Sequence, residues 1–426
     1  MDYKALAAAQ EEYVISVRRH LHKHPEISDH EDNTVAFIIE ELTKMGIPNI
    51  NVPHGGVFGF LGDEAKGRTV LLRADIDALP YNESPVNAGG KPKVVVSEVE
   101  LAAHLCGHDC HAAMLLGAAK ILKEHEDEIN GRIILMFERG EEGTGNLTYL
   151  VKYLFDNHYK IDTSFGMHVF PDVPVGQVAV IPGPCMAGPL GFSVTLKGKS
   201  AHGSEPSVGR SPVDAFVSLY GTMANMRMKY ANPYDPMVFS VGQVHSGSAS
   251  NIIPGELTFG GSFRVHNFED GTYIKEKLIQ AIENTAEMYD CKAEYTIIGP
   301  NLALVNDPEC TAFARNVFAE TLGNDAVFEA KPLMGSESHA MTAKIWPGVF
   351  LFLGIYNEEK GMTARNHHEC FEPDEDCLKI GTACHVAYAL EYLNDGPSTE
   401  GKVYDGDLKE FYEKYNPRAL VAYENE

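Results

Sequence analysis

Apolar positions between residues 4 and 22 recur with a helical period, and Pro25 predicts that this helix stops near His24. A second helix is expected over residues 32–45. Residues 70–73 form a short apolar run, read as a buried strand, and residues 132–137 form another that ends just before Glu141. Between them, residues 112–122 are small and apolar, as in a buried helix. Strands alternating with helices predict an α/β layer with a mostly parallel sheet. Sites in such sheets gather at the carboxyl ends of strands. Asp75, Asp77, Glu141 and His168 each follow an apolar run by a few residues, which meets that rule.

The middle of the chain has another rhythm. Residues 192–197 alternate as a strand. Residues 212–228 are helical, with Ser211 as N-cap and Pro212 at the first helical position. Strands follow at 238–244 and 257–264, then a helix at 270–289 and a strand at 293–298. The order β-α-β-β-α-β is the split, ferredoxin-like arrangement. Pro182-Gly183-Pro184 and Gly299-Pro300 bracket it as candidate hinges. The α/β pattern resumes with a strand at 349–353 and a helix at 377–392. The expected fold class is therefore α/β: a mixed, mostly parallel-sheet domain built from residues 1–184 and 301–426, interrupted by an inserted ferredoxin-like α+β lid at 185–300. The segment 395–426 is a polar, acidic tail with aromatic interruptions. A chain of 426 residues is long for one core, which agrees with two domains.

Composition narrows the function classes. The chain has 44% hydrophobic and 22% charged residues, ordinary values for a globular protein. Acidic residues number 60 against 35 basic ones, a formal charge of −25. That field repels phosphate backbones and anionic lipid, so neither nucleic acid nor a membrane surface is an expected partner. The N-terminus has no apolar signal region and no window is long and apolar enough to span a bilayer. The eight cysteines are scattered without a framework spacing and are expected to be reduced. A cytoplasmic location is the expectation.

The densest chemistry lies at residues 104–111, His-Leu-Cys-Gly-His-Asp-Cys-His, and at Glu141-Glu142. Cys106 and His108 can converge because Gly107 permits a tight backbone, and thiolate with imidazole suits zinc and other borderline metals. Cys106 alone would read as apolar filler and His108 as a helix cap; the crowding of donors favours a metal. Glu141 and Glu142 alone would read as a solvated acidic turn, but they follow a buried strand within a glycine-rich loop. Adjacent carboxylates point apart, so one can bind metal while the other takes a proton from water. Asp75 and Asp77 flank Ile76, and alternation sends both to one face as ligands or as groups that orient ligands. His168 and the pair His367-His368 are ambiguous alone.

The ordered set resembles the M20-type metallo-amidohydrolases over about residues 15–394, within the subgroup of auxin-conjugate hydrolases, hippurate hydrolases and N-acetyl-diaminopimelate deacetylases. The matching segments are Arg19-His-Leu-His-Lys-His-Pro-Glu26, Leu72-Arg-Ala-Asp-Ile-Asp-Ala-Leu-Pro80, Cys106-Gly-His-Asp109, Glu141-Glu-Gly143, Gly166-Met-His168, Gly198-Lys-Ser-Ala-His202, Asn251-Ile-Ile-Pro254 and Gly335-Ser-Glu337. The resemblance implies two divalent ions, manganese or zinc, held by Cys106, His108, Glu142, His168 and a late histidine. That histidine falls four residues before Phe371, which selects His367 over His368. Glu141 would be the base, with Asp75 and Asp77 orienting ligands. His202 would stabilise the oxyanion, often across a dimer, and Asn251 and Arg264 would hold a substrate carboxylate. Departures from the family pattern are Glu138-Arg139-Gly140 in place of Gln-Pro-Ala, Ser338-His339 in place of Asp-Phe, and Glu369 where Pro is common.

The implied activity is hydrolysis of the amide bond of an N-acyl amino acid or a related small amide, by a homodimer joined through the lid. Two alternatives stand beside it: a dipeptidase or aminopeptidase of the same fold, and a ligand-binding homologue without catalysis. The retained Glu141 argues against the second, since a binding module has no need of a free carboxylate beside a metal-bound one.

Overall fold

The apolar runs that end at Asp75 and Glu138 become neighbouring parallel strands, Arg68–Asp75 and Gly131–Glu138, in register so that Asp75 lies opposite Glu138. The computed structural model describes residues 1–143 and 145–420. These two strands sit within an eight-stranded sheet of order Asn49–Val52, Gly56–Gly62, Gly131–Glu138, Arg68–Asp75, Thr163–Pro174, Gly348–Tyr356, Val178–Val180, Val327–Phe328. The four central strands run parallel; Gly56–Gly62 on one side and Val178–Val180 on the other pair antiparallel with them, and Val327–Phe328 runs parallel to Val178–Val180.

Alternation along the central strands feeds two cores. Val70, Leu72, Ile133, Leu135 and Phe137 face one core, closed by the helices Glu11–Lys23, His108–Glu124 and Asp376–Asp395. Leu71, Ile134 and Met136 face the other, beneath Leu147–Asp156, His339–Ile345 and Leu408–Tyr415. Helices on both faces of a parallel sheet account for near-continuous apolar strands in place of an alternating pattern. The acidic tail is docked: Leu408, Phe411, Tyr412 and Ala419 are buried in the second core. Residues 421–426 of the expected tail lie outside the described residues.

The inserted segment builds a separate four-stranded antiparallel sheet of order Met237–Ser246, Glu256–Val265, Gly188–Lys197, Lys292–Ile298. Helices Pro212–Tyr230 and Phe268–Met288 pack on it around a core of their own. The first begins as expected, with the Ser211 side chain accepting from the Asp214 amide. The chain order is β-α-β-β-α-β.

Two local readings differ. The first helix is two, Tyr3–Ala9 and Glu11–Lys23, parted at Gln10. The hinge at Pro182–Pro184 is no free linker: Gly183–Met186 pairs antiparallel with Leu304–Asn306, so the ways into and out of the inserted segment hold each other. Backbone pairing between segments far apart in sequence leaves no mark on local pattern.

Candidate metal centre

The Gly107 backbone lies in the left-handed region at φ +93°, and it turns the chain sharply into the helix His108–Glu124. A Cβ there would stand 2.3 Å from Val169 Cγ2. Glycine is thus what lets the Cys106–His108 segment lie against the strand bearing His168. His168 sits within the strand Thr163–Pro174 and not beyond its end, because Gly348–Tyr356 extends the pairing past it.

The side chains converge. Cys106 Sγ is 3.3 Å from His168 Nε2 and 3.3 Å from His367 Nε2. Glu142 Oε1 is 3.1 Å from His367 Nε2 and 4.0 Å from His108 Nε2. Donor atoms of His108, Glu141 and Glu142 also lie within 4.8 Å of one another. His368 turns elsewhere, with Nδ1 accepting from the Cys370 amide.

Hydrogen bonding around the cluster assigns the imidazole tautomers. His108 Nδ1 donates to Asp77 Oδ1 at 3.0 Å, which turns Nε2 inward; among the described residues that buried atom has no hydrogen-bond partner. His168 Nδ1 donates to the Val169 carbonyl at 2.7 Å, and its Nε2 lone pair faces Cys106. These inward donor atoms lie close enough together for a bound cation to take them as ligands. The donor set of sulfur, nitrogen and oxygen suits a divalent ion of the zinc or manganese kind.

Behind the cluster stand the orienting groups. Asp77 accepts from His108, from the Glu142 amide at 3.0 Å and from Ser28 Oγ at 2.6 Å. Burial pushes the Asp77 carboxyl up, but those bonds outweigh burial and hold it below the ordinary range. Asp75 accepts from His111 Nδ1 at 2.5 Å. His111 Nε2 in turn accepts from the Val169 amide at 2.9 Å. With both nitrogens engaged, His111 is no ligand, although it clusters with Asp75 and His108. Its placing was legible in the sequence: it lies three residues after His108 on one helix, hence on the same face.

Arg73, buried and overlooked from sequence, anchors the floor. It donates to Glu138 Oε2 at 2.7 Å, Asp75 Oδ2 at 2.8 Å and Ser338 Oγ at 2.7 Å, and pairs with Glu337 at 3.0 Å. Burial pushes the Glu138 carboxyl up to about 7, against the pull of Arg73. Burial and the neighbouring Glu337 carboxylate push Glu141 up as well. The loop after Glu138 is pinned from outside: Glu31 accepts from the Gly140 amide at 2.8 Å and from Arg139 Nε at 2.8 Å.

The remaining candidates lie apart from the cluster. His202 and Asn251 adjoin on the ladder Ala201–His202 with Ile252–Ile253, where the Gly203 amide donates to the Asn251 carbonyl; His202 is exposed. Among the described residues Arg264 bonds to neither of them; its Nη1 donates to the Met334 carbonyl at 2.9 Å. Among the described residues no hydrogen bond or ion pair joins these three to the metal ligand candidates.

A sequence profile of peptidase family M20/M25/M40 matches residues 71–391. The chain is 34% identical to IAA-amino acid hydrolase ILR1-like 4 of Arabidopsis thaliana over 388 residues, 90% of this chain and 86% of that protein. It is 32% identical to N-acetyl-L-cysteine deacetylase of Bacillus subtilis (strain 168) over 370 residues, 86% of this chain and 85% of that one. A crystal structure of a dinuclear metal-binding M20 peptidase from Bacillus subtilis superposes with a TM-score of 0.73 at 27% identity, covering 91% of this chain and 99% of that chain.

Proposed function

Since the chain belongs to peptidase family M20/M25/M40 and is a hydrolase of that family, we propose that it cleaves the amide bond of N-acyl amino acids or closely related small amides, with two divalent ions at the cluster. The observation that carries this reading is the convergence of Cys106, His108, Glu142, His168 and His367 with inward donor atoms, and Glu141 beside them. These five residues are the proposed ligands. When bound, the ions would polarise the scissile carbonyl and lower the pKa of the attacking water.

The protein's own groups do the rest. Glu141 takes the proton of the attacking water, as a carboxylate placed beside the ligands can. It then passes the proton to the leaving amine. Asp77 and Asp75 keep His108 and its neighbours in position. His202 is the proposed oxyanion donor, and Asn251 with Arg264 the grip on a substrate carboxylate. Since His202 is exposed and apart from the cluster, the proposed route to the site is from a second subunit. An open sheet edge supports that: among the described residues Met237–Ser246 pairs on one side only, and Val213, Val217, Tyr220, Val238 and Val244 expose apolar surface on it and the helix beside it. The proposed division of the chain remains 1–184 with 301–426 for the metal-binding unit and 185–300 for the lid.

The test is release of free amino acid from a panel of N-acyl amino acids and N-free dipeptides. Stripped protein, protein reconstituted with manganese or zinc, and Glu141→Gln are compared, with metal content measured on each. Metal-dependent turnover of the blocked substrates, lost by about 10²–10⁴-fold in a metal-loaded Glu141→Gln, is the expected result. Preference for N-free dipeptides would favour the dipeptidase reading instead. Full metal occupancy without turnover of any amide would favour the binding homologue.

A further inference from the structure

Residues 333–338 run as irregular chain from the lid to Glu141, and both ends are tied. At the lid end, the Leu333 amide donates to the Cys185 carbonyl and the Ala187 amide to the Gly335 carbonyl, each at 2.8 Å. From the end of the lid strand Glu256–Val265 come two more bonds. His266 Nε2 donates to the Leu333 carbonyl at 2.8 Å, and Arg264 Nη1 to the Met334 carbonyl at 2.9 Å.

At the other end, the Ser338 amide donates to Glu141 Oε1 at 2.9 Å. Among the described residues it is the sole hydrogen-bond donor to that carboxylate. Ser338 itself is pegged: its Oγ accepts from Arg73 at 2.7 Å and donates to Glu138 Oε1 at 2.7 Å. Both of those partners are buried. Glu337 Oε1 takes the His339 amide at 3.1 Å and Arg73 at 3.0 Å, which fixes the residue before. The backbone on either side of Glu141 is held by Glu31 and Asp77, which leaves the orientation of its carboxylate to the Ser338 amide.

We propose that Ser338 and His266 are positioning residues for hydrolysis, and that residues 333–338 hold the Glu141 carboxylate in register with the lid. The proposal rests on Glu141 being the base. His266 fixes the segment at the lid, Ser338 delivers the donor at the site, and neither touches substrate or the ligand cluster. A lid out of place would then turn the base away from the water it must deprotonate, even with the metal ligands undisturbed.

Steady-state kinetics on the metal-loaded full chain test this, with the best substrate of the N-acyl amino acid panel. The variants are His266→Ala, His266→Gln, Ser338→Ala, Ser338→Thr and the double His266→Ala/Ser338→Ala. Each single Ala variant is expected to lose about tenfold in kcat with KM within about twofold, since loss of orientation alone costs rate at this scale. Gln keeps a donor near the place of Nε2 and Thr keeps the hydroxyl, so both are expected to restore kcat. Once one tie is broken the second adds little, so the double variant is expected to match the lower single variant. Losses that multiply, that fall on KM, or that appear only as a lower melting temperature with kcat intact would each overturn the proposal. Glu141→Gln separates the two readings. An active Glu141→Gln overturns the base assignment, whereas an inactive one beside fully active Ala variants overturns only the role of the segment.

Discussion

Asp77 receives three donors on two oxygens: His108 Nδ1, the Glu142 amide and Ser28 Oγ. Asp77→Asn keeps the shape but turns one oxygen into an NH2. If the amide oxygen faces His108, the new NH2 meets the Glu142 N–H and the Ser28 hydroxyl. If it faces the other way, the NH2 donates to His108 Nδ1 and forces the proton to Nε2, where the metal lone pair is needed. Either way a buried charge-assisted bond, worth about 1.5–3 kcal/mol, is lost or reversed. Loss of such an orienting partner lowers metal affinity by about 10–100-fold, or about 1.4–2.7 kcal/mol. Competition against a chelator, followed by calorimetry or by mass spectrometry of bound metal, measures this directly. Saturating metal should recover part of kcat, because the ligands themselves remain. An Asp77→Asn protein that is folded and binds metal within about twofold of the parent would refute the argument that Asp77 sets the His108 tautomer.

Gly107→Ala should fold yet hold metal poorly, because the left-handed backbone costs a β-carbon about 1–2 kcal/mol and the new methyl strikes Val169; metal content per chain reports it, and full occupancy would count against the packing argument. His385 is buried with both ring nitrogens unpartnered among the described residues, and burial lowers its pKa to about 3. It is neutral in the fold and charged in the unfolded chain below pH 6.5, so its stability contribution is present above that pH and lost as pH falls. The loss amounts to about 2 kcal/mol between pH 7 and pH 5. Urea titrations of His385→Leu at both pH values should show a shallower drop than the parent, and equal drops would exclude His385 as a source. Phe411→Ala in the docked tail should cost about 3–5 kcal/mol, read as a lowered melting temperature; an unchanged midpoint would mean that the tail does not contribute to the second core.

Periodicity and ordered motifs were sufficient for the α/β sheet, the β-α-β-β-α-β insert, the Cys106-Gly-His108 turn and the Glu141-Glu142 pair, because each is written in a few neighbouring residues whose spacing and chemistry have few readings. The sequence also marked Glu138 and Ser338 as departures from a family pattern, but not that they meet. Only the folded chain joins Ser338 to Glu138 and Glu141, some two hundred residues away, and to Arg73, 265 residues away. The choice of His367 over His368 rested in sequence on a one-residue alignment; in the fold it is His367 Nε2 that comes to Cys106 and Glu142. The same holds for His111, engaged at both nitrogens, and for Arg264, whose Nη1 turns to a backbone carbonyl. Residue types and spacing state which donors a chain possesses. Which lone pairs are left over depends on partners brought in from distant strands, and that is settled only when the backbone closes around them.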